Sequence, residues 1–375
     1  MRRLLPLAAL AFSLAFASAA LAVPRPNVDA RSYLIVDGRT GEVLAARRAH
    51  ARMPIASITK LMTVLVALEH ARLSDEVTVK SSAAGVGESS VGLQPGERLT
   101  VRELVEAALI QSANDAAYAL AAGVGDGDLD SFVRRMNAKA RKLRLRDTHF
   151  VRPDGLDAPK EYSTAADVTR LARIVMRKPA VRQIVRSRTE TISGGRVLNT
   201  WNDLLGAFPG LIGVKTGHTG DAGWCEVAAV RRPGYTVYAT ILGSPSREQR
   251  NTDLATLLRW GVSRYRVATV IAKGRTFAVA QTAYGREPVQ LVTRGRVRRA
   301  VRVNRPLVAR AVAAAAVSLP VHKGDRLGVV RIYDRKRLIA SRPLVAARTV
   351  ERPGLGGRIG FYARRTAEHV RGWFT

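Results

Sequence analysis

Hydrophobic and polar positions change rhythm along this chain, and the changes mark its elements. Residues 32–47 alternate like a hairpin, with 32–36 and 43–45 flanking the turn Asp37-Gly38-Arg39-Thr40-Gly41. Residues 56–70 are apolar on most sides (Leu61, Met62, Val64, Leu65, Leu68) and follow Pro54, which predicts a buried helix. Segments 101–122, 129–144 and 163–176 carry helical spacing, the last opening on Ser163-Thr164 with Asp167 in its first turn. From 211 to 243 the period shortens to that of strands: 211–216, 224–230 and 236–242, with Pro233-Gly234 turning the last pair. Residues 252–264 return to helix.

Beyond about residue 265 short β-rich runs (267–271, 276–279, 289–292, 328–332 and 338–340) alternate with Gly- and Arg-bearing turns, until Pro353-Gly354. The chain therefore predicts an α+β domain over 28–264, with an antiparallel sheet and a helical subdomain, followed by a small all-β domain over 265–350. The last stretch, 352–375, reads as an amphipathic helix. At 100° per residue Leu355, Ile359, Tyr362, Val370 and Trp373 share one stripe, Arg364, Glu368 and Arg371 lie opposite, and Phe361 falls off the stripe. A basic face with terminal Trp373-Phe374 predicts a helix lying on an anionic membrane surface.

Composition adds a location. The 375 residues are 47% hydrophobic, which excludes a disordered chain. Arg2 and Arg3 precede an apolar run from 4 to 16 and an A-x-A site at Ala20-Leu21-Ala22, so residues 1–22 read as a cleaved export signal. The net charge of +31 is scattered rather than blocked; for an exported protein it points to anionic lipid or wall polymer, not to nucleic acid. Cys225 is the one cysteine, so no intrachain disulfide forms, and it reads as a small buried residue of a strand. No Cys/His cluster has metal-ligand spacing, and no cofactor is expected.

The candidate chemistry lies in three short motifs in order: Ser57-Ile58-Thr59-Lys60, Ser112-Ala113-Asn114 and Lys215-Thr216-Gly217. Each alone recurs by chance; their order is the specific part. Ser57 and Lys60, three apart, share a helix face. A serine hydroxyl attacks only once a base removes its proton. Lysine serves when neutral, a state favoured by burial and by a nearby cation such as Lys215. Ser112 Oγ is placed to relay a proton and Asn114 to bind an amide. Lys215 and Thr216 suit an anionic carboxylate, Gly217 allows close approach, and the backbone N–H of His218 is a candidate oxyanion donor. A Ser-His-Asp triad using His218 is disfavoured, since no G-x-S-x-G elbow is present.

This ordered set resembles the low-molecular-mass penicillin-binding proteins, the serine-type D-alanyl-D-alanine carboxypeptidase (peptidase S11-like) family. The likeness covers nearly the whole mature chain. It extends to Arg52-Met53-Pro54-Ile55-Ala56 before Ser57, to His149-Phe150 through Gly155-Leu156, to Tyr162-Ser163-Thr164-Ala165 and to His218-Thr219. The resemblance implies a penicillin-recognising fold and removal of the terminal D-Ala from peptidoglycan stem pentapeptides through an acyl-enzyme, with β-lactams acylating the same serine. It further implies Ser57 as nucleophile, Lys60 as base and Ser112 as proton relay to the leaving amine. Asn114 would hold the peptide, and Lys215 and Thr216 the terminal carboxylate. A carboxylate-binding arginine falls on Arg250, with Arg247 as the alternative because Ser244-Pro245-Ser246 departs from the family's glycine-rich version. The implied place of work is the outer face of the cytoplasmic membrane. Two rivals remain: a D,D-endopeptidase of the same fold, and a non-catalytic envelope-binding module. A β-lactamase would need a deacylating Glu in an E-x-x-x-N loop between the second and third motifs, where Glu161 instead precedes Tyr162-Ser163-Thr164.

Overall fold

The structure, a computed structural model, describes residues 24–125 and 127–371. The expected export segment 1–22 and the terminal Trp373-Phe374 lie outside the described residues. The chain divides into two compact units between Arg264 and Tyr265.

The first unit is built on an antiparallel sheet. Its strands are β1 (Ser32–Asp37), β2 (Val43–Arg47), β3 (Leu211–Thr219), β4 (Gly223–Arg232) and β5 (Tyr235–Ser244), in the spatial order β2-β1-β5-β4-β3. The expected hairpin 32–47 forms, and the three later strands each run three residues longer than the sequence pattern marked. The longest connection, from β2 to β3, carries most of the helices. They include α1 (Lys60–His70), α2 (Val101–Glu106), α3 (Asn114–Val124), α4 (Leu129–Lys142) and α5 (Ala165–Val175); α6 (Arg247–Ser263) follows β5.

Local chemistry sets the helix starts. Thr100 and Glu103 form a reciprocal capping box at α2, and Thr164 accepts from the Asp167 amide at α5. α1 is packed by α3, α4 and α5, so it is buried all round from Lys60 to Ala67, as its apolar composition predicts. The sheet is covered on both faces. Thr240 of β5 meets Thr169 of α5, their hydroxyls 2.6 Å apart, while Val237, three residues away and so on the opposite face, meets Gly261 of α6.

The segment 101–122, expected as mainly helical, is interrupted. α2 passes into one π-helical stretch over Ala107–Gln111, Ser112 turns left-handed (φ 66°), Ala113 is extended, and α3 begins at Asn114. Such an interruption frees side chains from helical register and recurs at functional sites.

The second unit has a six-stranded sheet in the order Leu307–Ala313, Arg326–Asp334, Arg337–Ala346, Val289–Thr293, Thr276–Thr282, Ala316–Val317, and a two-stranded ribbon of Tyr265–Ile271 with Val297–Arg302. Three of these strands, Val297–Arg302, Leu307–Ala313 and the two-residue Ala316–Val317, were not marked by the sequence pattern. Val297–Arg302 is half arginine, and Leu307–Ala313 is rich in alanine, which has little β preference. A helix over Leu355–Arg371 follows. Its stripe residues stay in solvent, Leu355 at 70% and Ile359 at 68% exposure. Phe361, off the stripe, instead packs edge-on against Tyr284, ring centroids 6.0 Å apart.

The core under the helical region centres on fully buried side chains such as Leu61, Leu104 and Phe132. Phe132→Ala, deleting the one aromatic ring that α4 buries there, is expected to lower stability by about 3–5 kcal/mol. A lowered urea midpoint with unchanged slope would show this.

Candidate active site

Ser57 lies in a 3-10 turn, Ala56–Thr59, that leads into α1. Two glycines make this approach possible. A Cβ on Gly155 (φ 80°) would stand 2.2 Å from the Ala56 carbonyl oxygen, and one on Gly217 would stand 2.8 Å from the Ile55 carbonyl oxygen and 3.1 Å from the Ser57 nitrogen. Gly217 was expected to clear space for a substrate. The structure corrects that: glycine is needed there because the protein's own backbone around Ser57 closes on β3.

Lys60 is fully buried, and its Nζ donates to three acceptors: Ser57 Oγ at 2.8 Å, Asn114 Oδ1 at 2.7 Å and the Asp154 carbonyl at 2.9 Å. The Asn114 amide is oriented by its Nδ2, which donates to the Gly87 carbonyl at 3.0 Å. Burial, opposed by the Asp154 carboxylate and aided by Arg152, brings the Lys60 amine down to about 7. The cation acting on Lys60 in this way is Arg152, where Lys215 was expected. The three contacts also fix which proton leaves. Asn114 Oδ1 and the Asp154 carbonyl only accept, so a neutral amine keeps its two N–H bonds on them and turns its lone pair to Ser57. The site thus supplies an oriented general base beside a hydroxyl.

Lys215 projects from β3 on the same side of the sheet. Its Nζ donates to Ser112 Oγ at 2.8 Å and to the Thr216 carbonyl at 2.9 Å. Burial, then the charge of Lys60, holds this amine well below the usual lysine range. Two lysine–serine pairs therefore stand in one site, Lys60 with Ser57 and Lys215 with Ser112, and the charge of Lys60 makes the Lys215 ammonium costly.

β3 is the edge of the sheet, so its outer backbone groups are free to pair with an extended chain. Side chains alternate across it. Lys215 and Gly217 face the Ser57 side, whereas Thr216 faces with Glu226 of β4, and His218 with Trp224. His218 is exposed, its ring centroid 4.0 Å from that of Trp224. Arg250, expected as a carboxylate ligand, is 1% exposed on α6; it donates to Asp203 Oδ2 at 2.9 Å, stands 3.3 Å from Glu226 Oε2 and lies over the Trp224 ring. The alternative, Arg247, pairs with Asp203 from a more open position, its side chain 40% exposed.

Other site residues had weaker signals. Asp115 accepts from Ser90 Oγ and from the Val91 and Leu93 amides, and so holds the 87–93 loop that supplies the Gly87 carbonyl. Glu161 accepts from Thr59 Oγ1 and from the Val151 and Arg152 amides, tying the 149–164 segment under the nucleophile turn; burial pushes its carboxyl up to about 7. Asp154 acts on Lys60 through its backbone carbonyl, and the resemblance over His149-Phe150 through Gly155-Leu156 was the pointer to its segment. Cys225 is buried and accepts from the Gly243 amide at 3.4 Å; burial pushes its thiol up to about 11, so it is inert.

With this geometry in place, comparison with known proteins is informative. The family model for peptidase S11, D-alanyl-D-alanine carboxypeptidase, matches residues 19–246. D-alanyl-D-alanine carboxypeptidase DacD of Salmonella typhimurium (strain LT2) is 31% identical over 358 residues, covering 91% of this chain and 92% of that protein. Among solved structures, penicillin binding protein 5 from Haemophilus influenzae aligns with TM-score 0.63 at 26% identity, covering 88% of this chain and all of that one. The Streptomyces K15 DD-transpeptidase aligns with TM-score 0.61 at 31% identity, covering 64% of this chain and all of that one.

Because Lys60 must be neutral to act, acylation of Ser57 by a saturating β-lactam should rise with pH through an inflection near 7 and level off above it. Stopped-flow acylation rates across pH check this; a rate that falls through that range would remove Lys60 as the base.

Proposed function

The chain belongs to the peptidase S11 family of D-alanyl-D-alanine carboxypeptidases, and from that premise we propose how it works as a serine-type enzyme on peptidoglycan stem peptides. The observation that carries the reading is the buried Lys60 amine, hydrogen-bonded to Ser57 Oγ with its two other partners acceptors only.

Ser57 Oγ attacks the carbonyl of the penultimate D-Ala while Lys60 takes its proton. The Ser57 amide and the His218 amide receive the developing oxyanion. The peptide lies along the free edge of β3, and its terminal carboxylate is drawn by Lys215, Thr216 and the positive charge of Arg250. Ser112, backed by Lys215, relays the proton taken up by Lys60 to the departing D-Ala amine as the C–N bond breaks, which returns Lys60 to its neutral form. Water, deprotonated by Lys60, then cleaves the Ser57 ester and restores the hydroxyl. A β-lactam enters the same steps, and its opened ring stays on Ser57. The link from Lys60 through Asn114 means that Asn114 orients the base as well as facing the peptide.

The helix over Leu355–Arg371 attaches the enzyme to the membrane surface on the cell-wall side. Support comes from its apolar stripe, which lies in solvent, and from the arginines around it. Among the described residues no helix is long and apolar enough to cross a membrane, which fits a helix lying on the surface.

Two outcomes are expected. Wild-type protein should release D-alanine from a diacetyl-Lys-D-Ala-D-Ala peptide and take a covalent label from fluorescent penicillin, and Ser57→Ala should lose both. Label surviving in Ser57→Ala would remove the nucleophile, and turnover of cross-linked dimers alone would make the enzyme an endopeptidase. Separately, deleting 352–375 should shift the protein from vesicles containing anionic lipid to the supernatant in a sedimentation assay. Unchanged sedimentation would refute the attachment.

A further inference from the structure

Glu226 is a carboxylate in an unusual place. It is 0% exposed in β4, directly across from Thr216, and among the described residues neither of its oxygens accepts a hydrogen bond. A buried carboxylate ordinarily accepts several, and leaving it without donors is costly. Its nearest cation is Arg250 Nε, 3.3 Å away. That contact leaves both oxygens free to lose or regain a charge as their surroundings change.

The groups around Glu226 come from three elements. α6 supplies Arg250; the segment before β3 supplies Asp203, which also binds Arg247; β3 supplies Lys215, whose side chain lies on the other side of the sheet. Trp224, beside Glu226 on β4, separates Arg250 from His218. The hydrogen bonds from Arg247 hold Asp203 below the usual carboxylate range, so Asp203 is a fixed anion. Arg247 and Arg250 are fixed cations. With Glu226 neutral these four side chains carry one net positive charge; with Glu226 ionised they carry none. Arg250 is too buried to be met openly, so a substrate carboxylate at Thr216 feels this net charge.

We propose that Glu226 is a positioning residue whose ionisation cancels the charge of the Arg247–Asp203–Arg250 cluster behind Thr216, so that binding of the substrate's terminal carboxylate is coupled to uptake of a proton at Glu226. The proposal rests on the carboxypeptidase reading above. Burial pushes the Glu226 carboxyl up to about 7, against the pull of Arg250, which brings the coupling into the working range. The sign follows. Above that range Glu226 is ionised, the cluster is neutral and the anionic substrate binds more weakly. Below it the cluster attracts. The effect falls on KM, whereas the Lys60 inflection falls on kcat, so the two separate.

The test is KM and kcat for diacetyl-Lys-D-Ala-D-Ala between about pH 6 and about pH 8.5, for wild type and Glu226→Gln. Wild-type KM should rise about tenfold across that range, the size expected of one charge at partly buried distance. Glu226→Gln should hold the low-pH KM throughout while its kcat still follows the Lys60 inflection. Glu226→Asp, which restores a carboxylate, should restore the rise. If Glu226→Gln does not fold, Glu226→Leu carries the same expectation. A pH-dependent KM that survives removal of the carboxylate overturns the proposal, as does a variant that only loses thermal stability. Wild type that neither turns over the peptide nor takes a covalent penicillin label refutes the carboxypeptidase reading itself, and the proposal falls with it.

Discussion

The site depends on one costly arrangement: a fully buried lysine amine with three hydrogen-bond acceptors and, among the described residues, no carboxylate paired with it. A charged ammonium there lacks the water that would stabilise it, so the neutral base is favoured near neutral pH. Nearly every local feature serves that arrangement. The Asp154 carbonyl requires the 149–164 segment to run under α1, and Glu161 ties the segment down. Asn114 must present oxygen rather than nitrogen, and the Gly87 carbonyl fixes that choice. Asp115 in turn holds the loop carrying Gly87. The all-round apolar character of α1, which alone reads as mere core, is what keeps water from Lys60.

β3 then divides the chemistry in two by the alternation of a strand. Lys215 is directed to the serine side, where proton transfer occurs. Thr216 and His218 are directed to the side of α6, where Glu226, Arg250, Asp203 and Trp224 set the charge. In the proposed mechanism one edge strand holds the substrate's backbone, with Lys215 serving the proton relay and the carboxylate from one face and Thr216 the carboxylate from the other. A shift of one residue in the β3–β4 register would exchange the faces, so the motif works only with the neighbouring strands aligned as they are.

Much of this was legible in the sequence, for reasons that differ by element. The hairpin, the buried α1 and the strands of the first sheet follow from periodicity, because each buries one face or all of its surface. The family motifs named Ser57, Lys60, Ser112, Asn114, Lys215 and Thr216, and the structure gathers them into two hydrogen-bonded groups, one around Lys60 and one around Lys215. What periodicity did not carry was the break at Ala107–Ala113, since those residues are helix-forming and the left-handed Ser112 is imposed by its Lys215 partner. Nor did it carry roles played by backbone, as at Asp154, or by single charges in strands, as at Glu226. The Arg-rich strand Val297–Arg302 escaped because its alternation is blurred by long side chains that reach solvent from either face.

Two of the non-glycine residues at positive φ lie where these demands meet. Ala56, immediately before the nucleophile, and Ser112, the partner of Lys215, both sit at positive φ, each at a cost of about 1–2 kcal/mol for a residue with a side chain. Such conformations persist only where the surroundings over-determine them. At Ala56 the backbones around Gly155 and Gly217 close from two sides; at Ser112 the hydrogen bond from Lys215 Nζ and the start of α3 hold the turn. Both strained residues therefore depend on contacts made across long sequence separations, between the helical region and β3. The site forms only when those parts of the unit are together, which ties the ability to acylate to the integrity of the whole first unit rather than to any single motif.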